Sequence, residues 1–224
     1  MNQDNSKFIE DVYKKIKEMN IDNSNQIIEL IDLLQHNEII KCEEYRECPI
    51  NYICNALGIN VYSTNLDNDE GRLYVGGTTK KLYGCNQVIL TNAAYSLRKQ
   101  REIRASLLGV YLLDFLKHFN GDYSKVYIAI YSNTNMDNKA HYFAGELLTP
   151  SDTLINQYNI ALDRHKNSIY IKTYLREYFN VTSSFVEQRI HEVAYGFSLP
   201  IESTNSPTSN PNNIVIFRKS RKRN

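Results

Sequence analysis

The sequence predicts an α+β fold, a mainly helical domain with a small antiparallel sheet, a buried central helix and a C-terminal pair of helices. Three observations carry this expectation. Apolar residues recur at helical spacing near both ends, the period shortens to two between residues 59 and 90, and residues 107–116 are apolar around nearly the whole circumference of a helix. A helix of that last kind is stable only when protein surrounds it.

Taken in order, Phe8, Val12 and Ile16 predict a helix over Ser6 to Met19, and Ile27, Leu30, Ile31 and Leu34 a second over Ser24 to Leu34, capped by Asp22 or Asn23. Pro49 suits the first turn of a third helix, which Gly58 stops after Leu57. Ile59 and Val61, Leu73 and Val75, and Val88 and Leu90 then alternate as short strands, with turn material at Gly76, Gly77 and Gly84. The central helix is expected to begin near Ala93 and to run through Arg98 to His118. Lys125 to Tyr131, β-branched and aromatic, predicts another strand. Asp137 to Leu148 returns to helix and stops before Pro150, and Ser151 or Asp152 starts the next. Two more helices follow between Lys166 and Tyr195, parted at Asn180 to Thr182, the second with a capping pattern from Ser184 to Glu187. Glu202 to Asn213 is rich in Ser, Thr, Asn and Pro and reads as a linker. The resulting organisation is 1–48 N-terminal helices, 49–200 a domain, and 201–224 a linker and tail.

Composition excludes several classes. With 42% apolar and 23% charged residues among 224, the chain has the means to build a core. No stretch approaches the about 18 consecutive apolar residues of a membrane span, and the polar start is no signal peptide, so a soluble, cytoplasmic protein is expected. The net charge is +1, yet Arg218, Lys219, Arg221, Lys222 and Arg223 supply five positive charges at the end, and without them the remainder stands at −4. Basicity is therefore a tail property, suited to an acidic partner or nucleic acid or simply to solubility. Cys42, Cys48 and Cys54 recur every six residues, unlike zinc spacings of two to four, and reduced thiols are expected of them and of Cys85. Gly76 and Gly77 lack the Lys and Ser/Thr of a phosphate loop. The helix pair around Leu175 to Val193 invites a helix-turn-helix reading, which Glu187 and Glu192 beside a single Arg disfavour.

The string Ala140, His141, Tyr142, Phe143, Ala144, Gly145, Glu146, Leu147, Leu148, Thr149, Pro150 and the later run Val181 to Ile190 resemble two motifs of the ImmA/IrrE family of zinc metallopeptidases, A-N-x-F-A-x-x-L-L-x-P and V-S-x-x-x-V-x-x-R-[LI]. The likeness spans about residues 49 to 197 and implies a zincin-like scaffold, in which the central helix would carry H-E-x-x-H and an acidic ligand would precede the Ala140 string. Two imidazoles at i and i+4 share one ion, and the Glu takes a proton from its bound water. Aligned on Gly109, this chain has Ser106, Leu107 and Val110 at the two His and the Glu positions, and Asp137 at the acidic ligand. Losing one outer-shell partner already costs about 10 to 100-fold in metal affinity or activity, and here both imidazoles and the base are missing.

No cofactor is therefore expected. The resemblance implies a catalytically inactive, peptidase-like binding protein of a phage or mobile element, contacting a repressor or a host defence protein, with Ser106, Leu107, Val110 and Asp137 lining a degenerate cleft. The alternative is an active metallopeptidase with a relocated site built from two i, i+4 pairs, Asp114 with His118 and Asp137 with His141. His36, His165 and His191 lack companions, and Ser106 lacks the strained elbow of a serine nucleophile.

Overall fold

A computed structural model describes residues 3–19, 24–35, 47–119, 122–131, 138–164 and 167–195. Packing divides the chain into two compact units, Met1–Leu148 and Thr149–Asn224, so the N-terminal helices belong with the sheet. Asp22 and Asn23, Asp137 and the segment from 196 onward, with its linker and basic tail, lie outside the described residues.

The first unit runs α1 (Gln3–Glu18), α2 (Ser24–Gln35), α3 (Ile50–Ala56), β1 (Ile59–Thr64), β2 (Gly71–Val75), α4 (Thr79–Tyr83), β3 (Gln87–Asn92) and α5 (Leu97–Val110). A π-helical turn (Tyr111–Phe115), α6 (Leu116–His118), β4 (Tyr127–Tyr131) and α7 (Asn138–Leu148) complete it. The apolar stripes read from the sequence are the buried ones: Phe8, Val12 and Ile16 on α1, and Ile27, Leu30, Ile31 and Leu34 on α2. Pro49 precedes α3, and Gly58, at φ 75°, supplies the left-handed residue that ends it.

The sheet has the order β1-β3-β2-β4 and is mixed, which corrects the antiparallel expectation. β1 runs parallel to β3 along six residues, from Ile59 beside Gln87 to Thr64 beside Asn92, while β2 is antiparallel to both β3 and β4. Side-chain alternation is the same for either strand direction, so the period of two could not distinguish them. β3 is buried at every position because both faces are covered. Gly71 and Thr91 face α5, while Val88 and Leu90 pack with Leu66, Tyr74, Tyr83 and Cys85 on the other side.

Three local expectations also change. The turn after β2 is not a tight hairpin, since α4 stands between Gly77 and β3. The central helix begins at Leu97 rather than Ala93, where Ser96 Oγ accepts from Lys99 N at 3.3 Å. The π-helical turn breaks its regular period and aligns an aromatic column, with ring centroids at 5.5 Å for Tyr111–Phe115, 5.0 Å for Phe115–Phe119 and 5.0 Å for Phe115–Tyr127. α1 closes this end: Tyr13 and Tyr111 share a hydroxyl hydrogen bond of 3.1 Å, and Lys17 Nζ donates to the carbonyls of Lys117 and Phe119. Cations suit a helix C-terminus, where carbonyls are left over.

The second unit holds α8 (Ser151–Arg164), α9 (Ser168–Phe179) and α10 (Ser183–Tyr195). Asn180, in the left-handed region at φ 51°, ends α9. The cap of α10 is Thr182, whose Oγ1 accepts from Phe185 N at 3.3 Å, and not Ser184, because the helix begins at Ser183 and Ser184 already lies inside its first turn. Arg189 is 1% exposed and fastens α10 to the start of α8. Its Nε donates to Thr149 Oγ1 at 3.2 Å, its Nη2 to Thr149 O at 3.3 Å and Ser151 Oγ at 3.1 Å, and its Nη1 to Glu192 Oε2 at 2.7 Å.

Arg189→Ala leaves Glu192 and the Thr149 carbonyl without these donors. A loss of about 3–5 kcal/mol, the range for breaking a buried pair, is expected in urea unfolding of the full chain; a change below about 1 kcal/mol, the level of a surface pair, would show that this arginine holds nothing together.

Candidate functional site

The candidate site is the face of α5 that the sequence pattern singles out. Two close approaches position it. A Cβ at Gly109 would stand 2.9 Å from Ala140 O and 3.0 Å from Phe143 Cδ1, so α5 and α7 meet backbone to backbone there. A Cβ at Gly71 would overlap Ile103 and stand 3.2 Å from Leu107 Cδ1, so the opposite side of α5 is pressed against β2. The amino-terminal half of α5 is held by polar bonds instead. Lys99 Nζ pairs with Glu70 at 3.2 Å and lies 5.3 Å from the ring centroid of buried Tyr131, whose phenol burial pushes above its ordinary pKa.

Within this frame Ser106 is fully buried, Leu107 is 1% exposed and Val110 is partly buried. Leu107 packs toward β2, and Ser106 Oγ, sealed from solvent, has no hydrogen-bond partner among the described residues. One hydroxyl and two hydrocarbon groups offer no nitrogen or carboxylate to an ion and no base to a water molecule. Asp137, the fourth member of the expected cleft, lies outside the described residues.

The pairs of the alternative site are partly brought together. Asp114 and His118 meet, His118 Nδ1 standing 3.0 Å from Asp114 O and 3.8 Å from its Oδ1. Both are exposed, and Asp114 Oδ2 accepts from the Tyr127 hydroxyl at 2.6 Å. His141 is partly buried on α7. Among the described residues no three His, Cys, Asp or Glu side chains gather as a metal site. Cys54 is fully buried and its thiol is pushed up to about 12 by burial, while Cys85 Sγ donates to Gln87 O at 3.0 Å. Cys42, His36, His165 and the basic residues Arg218, Lys219, Arg221, Lys222 and Arg223 lie outside the described residues. The ring of His191 rests 4.7 Å from that of Tyr195.

A family model for the IrrE N-terminal-like domain matches residues 54–191, more than half of the chain. The chain belongs to the IrrE N-terminal-like peptidase family. No curated protein and no solved structure matches it. The matched span runs from α3 to α10 and contains the whole of α5, so the scaffold of this IrrE-like chain is that of the family while the side chains at Ser106, Leu107 and Val110 do not fit a zinc ion. A fully buried serine also leaves no space for an imidazole without displacement of its surroundings.

Sequence reasoning missed two parts of this site. Gly71 carries no motif, and its role follows only from the contact with Ile103 and Leu107. The polar half of α5, from Lys99 to Arg104, was overshadowed by the apolar half, although its Gln100 and Glu102 are buried.

Leu107→Glu places a carboxylate beneath β2 without a partner. A stability loss of about 3–5 kcal/mol is expected from the uncompensated charge, read as a lower urea midpoint; a variant as stable as the parent would mean that water or a cation already reaches this position.

Proposed function

We propose that this member of the IrrE-like family is a catalytically inactive binding protein that acts by protein contact. The observation that carries this reading is the chemistry at 106, 107 and 110, where packing groups stand in place of ion-holding and proton-accepting ones. Fold alone does not decide activity, since reactions reside in sites carried on folds.

A second feature supports a protein partner. β4 pairs with β2 on one side, and Ile128 and Ile130, with Val126 just before the strand, are 51%, 56% and 57% exposed. Edge strands left this apolar usually carry charge or cover, and an uncovered one is a template for an added strand from another chain. Within the described residues no helix is long and apolar enough to cross a membrane. A repressor or a host defence protein is the partner that analogy with the family favours, with a phage or mobile element as the source, cytoplasmic action, and the basic tail as an added contact for nucleic acid or an acidic surface. The relocated metallopeptidase is the second reading, favoured by the contact of His118 with Asp114.

Two measurements separate them. Purified protein is expected to carry substoichiometric zinc and to keep its melting temperature in chelator; bound zinc near one per chain, lost in His118→Ala together with cleavage of a repressor, establishes the enzyme instead. Affinity capture from the native host, followed by mass spectrometry, is expected to yield an intact partner that an Ile128→Lys, Ile130→Lys double variant no longer retains while melting like the parent. Equal capture by the variant removes β4 from the interface.

A further inference from the structure

We propose that Arg104, Ser63 and Asn51 form a binding site for a small oxyanion, the phosphate or carboxylate head of a ligand. Arg104 projects from α5 over the ends of the parallel strands β1 and β3, where Ser63 and Thr91 stand side by side. Its Nη2 donates to Ser63 Oγ at 2.7 Å, Gln100 Oε1 at 3.0 Å and Thr91 Oγ1 at 3.1 Å, and its Nη1 to Asn51 Oδ1 at 3.1 Å. All four acceptors are neutral. By contrast Arg72 faces Asp69, Arg101 faces Glu47, Arg176 faces Glu177 and Arg189 faces Glu192.

The charge of Arg104 is thus partly removed from water with no carboxylate partner among the described residues. Burial pulls its pKa below the usual arginine value, as it does for Arg101, so it is the neutral acceptors and not the shift that set Arg104 apart. The Nη2 hydrogens have only neutral oxygens as acceptors, and Nε is buried with no acceptor among the described residues, so the charge of the guanidinium is not answered by the groups around it.

The edge bearing Nη1 and Nη2 is the accessible one, because Ser63 and Asn51, the residues it meets there, are both exposed. That edge has the fork geometry that binds two oxygens of a carboxylate or phosphate at once. An arriving oxyanion takes the place of Ser63 and Asn51 as acceptor. The Asn51 amide is then free to donate to it, and Gln100 stays anchored by its own bond to Tyr95 O at 2.8 Å. The site is separate from Ser106, Leu107 and Val110, and it does not depend on whether this protein hydrolyses peptides.

The test uses the full chain and two probes, inorganic phosphate and acetate, against chloride at constant ionic strength. One or both are expected to raise the melting temperature saturably and to shift the Arg104 Nε–H and Ser63 amide resonances; the probe that saturates at the lower concentration identifies the head group. Arg104→Gln keeps a polar side chain in the cluster and is expected to weaken the response by about tenfold or more, equivalent to 1.4 kcal/mol. Asn51→Asp, an exposed substitution that preserves folding, is expected to supply the missing counterion internally, raising the melting temperature of the free protein and abolishing the response. Failure of both anions to saturate beyond chloride overturns the proposal, as does an undiminished response in Asn51→Asp.

Discussion

Burial of α5 between β2 and α7 is the constraint on which the first unit depends. Gly109 lets the α7 backbone come within reach on one side, and Gly71 lets Ile103 and Leu107 press against the sheet on the other. With contact on both sides, the side chains in between are selected for volume before anything else, since interiors are packed at crystal-like density. On the alignment from which the proposed function is argued, catalysis would call on the same positions for imidazoles and a carboxylate. Ser106, Leu107 and Val110 satisfy the packing demand alone, and this is the physical basis for reading the chain as a binder.

Charge is handled differently at two arginines, one in each unit. In the second, the almost fully buried guanidinium of Arg189 meets a carboxylate and three further oxygens, so the cost of burying it is offset by bonds that also join α10 to the turn before α8. In the first, Arg104 is left with neutral acceptors, and Lys99 is balanced by Glu70. The comparison matters because both arginines are held in place, yet only Arg189 has its charge answered from within its own unit. An unanswered cation at an accessible edge is the arrangement from which a ligand gains most.

Much of the fold was legible. The stripes on α1 and α2, the start of α3 at Pro49, the helix pair ending in Arg189 and the resemblance over 49–197 all rest on local spacing, and the family match over 54–191 bears out the last. Less was legible where a pattern has two solutions. The direction of β1 beside β3, the short α4 after Gly77 and the π-helical turn leave hydrophobic periodicity nearly unchanged, so a period count cannot separate them from an antiparallel strand, a hairpin or a continuous α-helix. The cap at Thr182 was missed for a similar reason, as several Ser and Thr neighbours have the right chemistry and only geometry chooses among them.

By itself, then, the sequence determined the class of fold and the family, and it supplied the residue types at 106, 107 and 110 on which the proposed inactivity rests, because each of these depends on residue type at fixed spacing along one element. Tertiary structure decided the rest: that Gly71 and Gly109 are contact points, that Tyr127 engages Asp114, that β4 presents isoleucines to solvent, and that Arg104 bonds to neutral acceptors. These facts concern groups far apart in the chain, and the free energy of a buried or exposed group depends on what the fold brings beside it, which spacing along the chain does not specify.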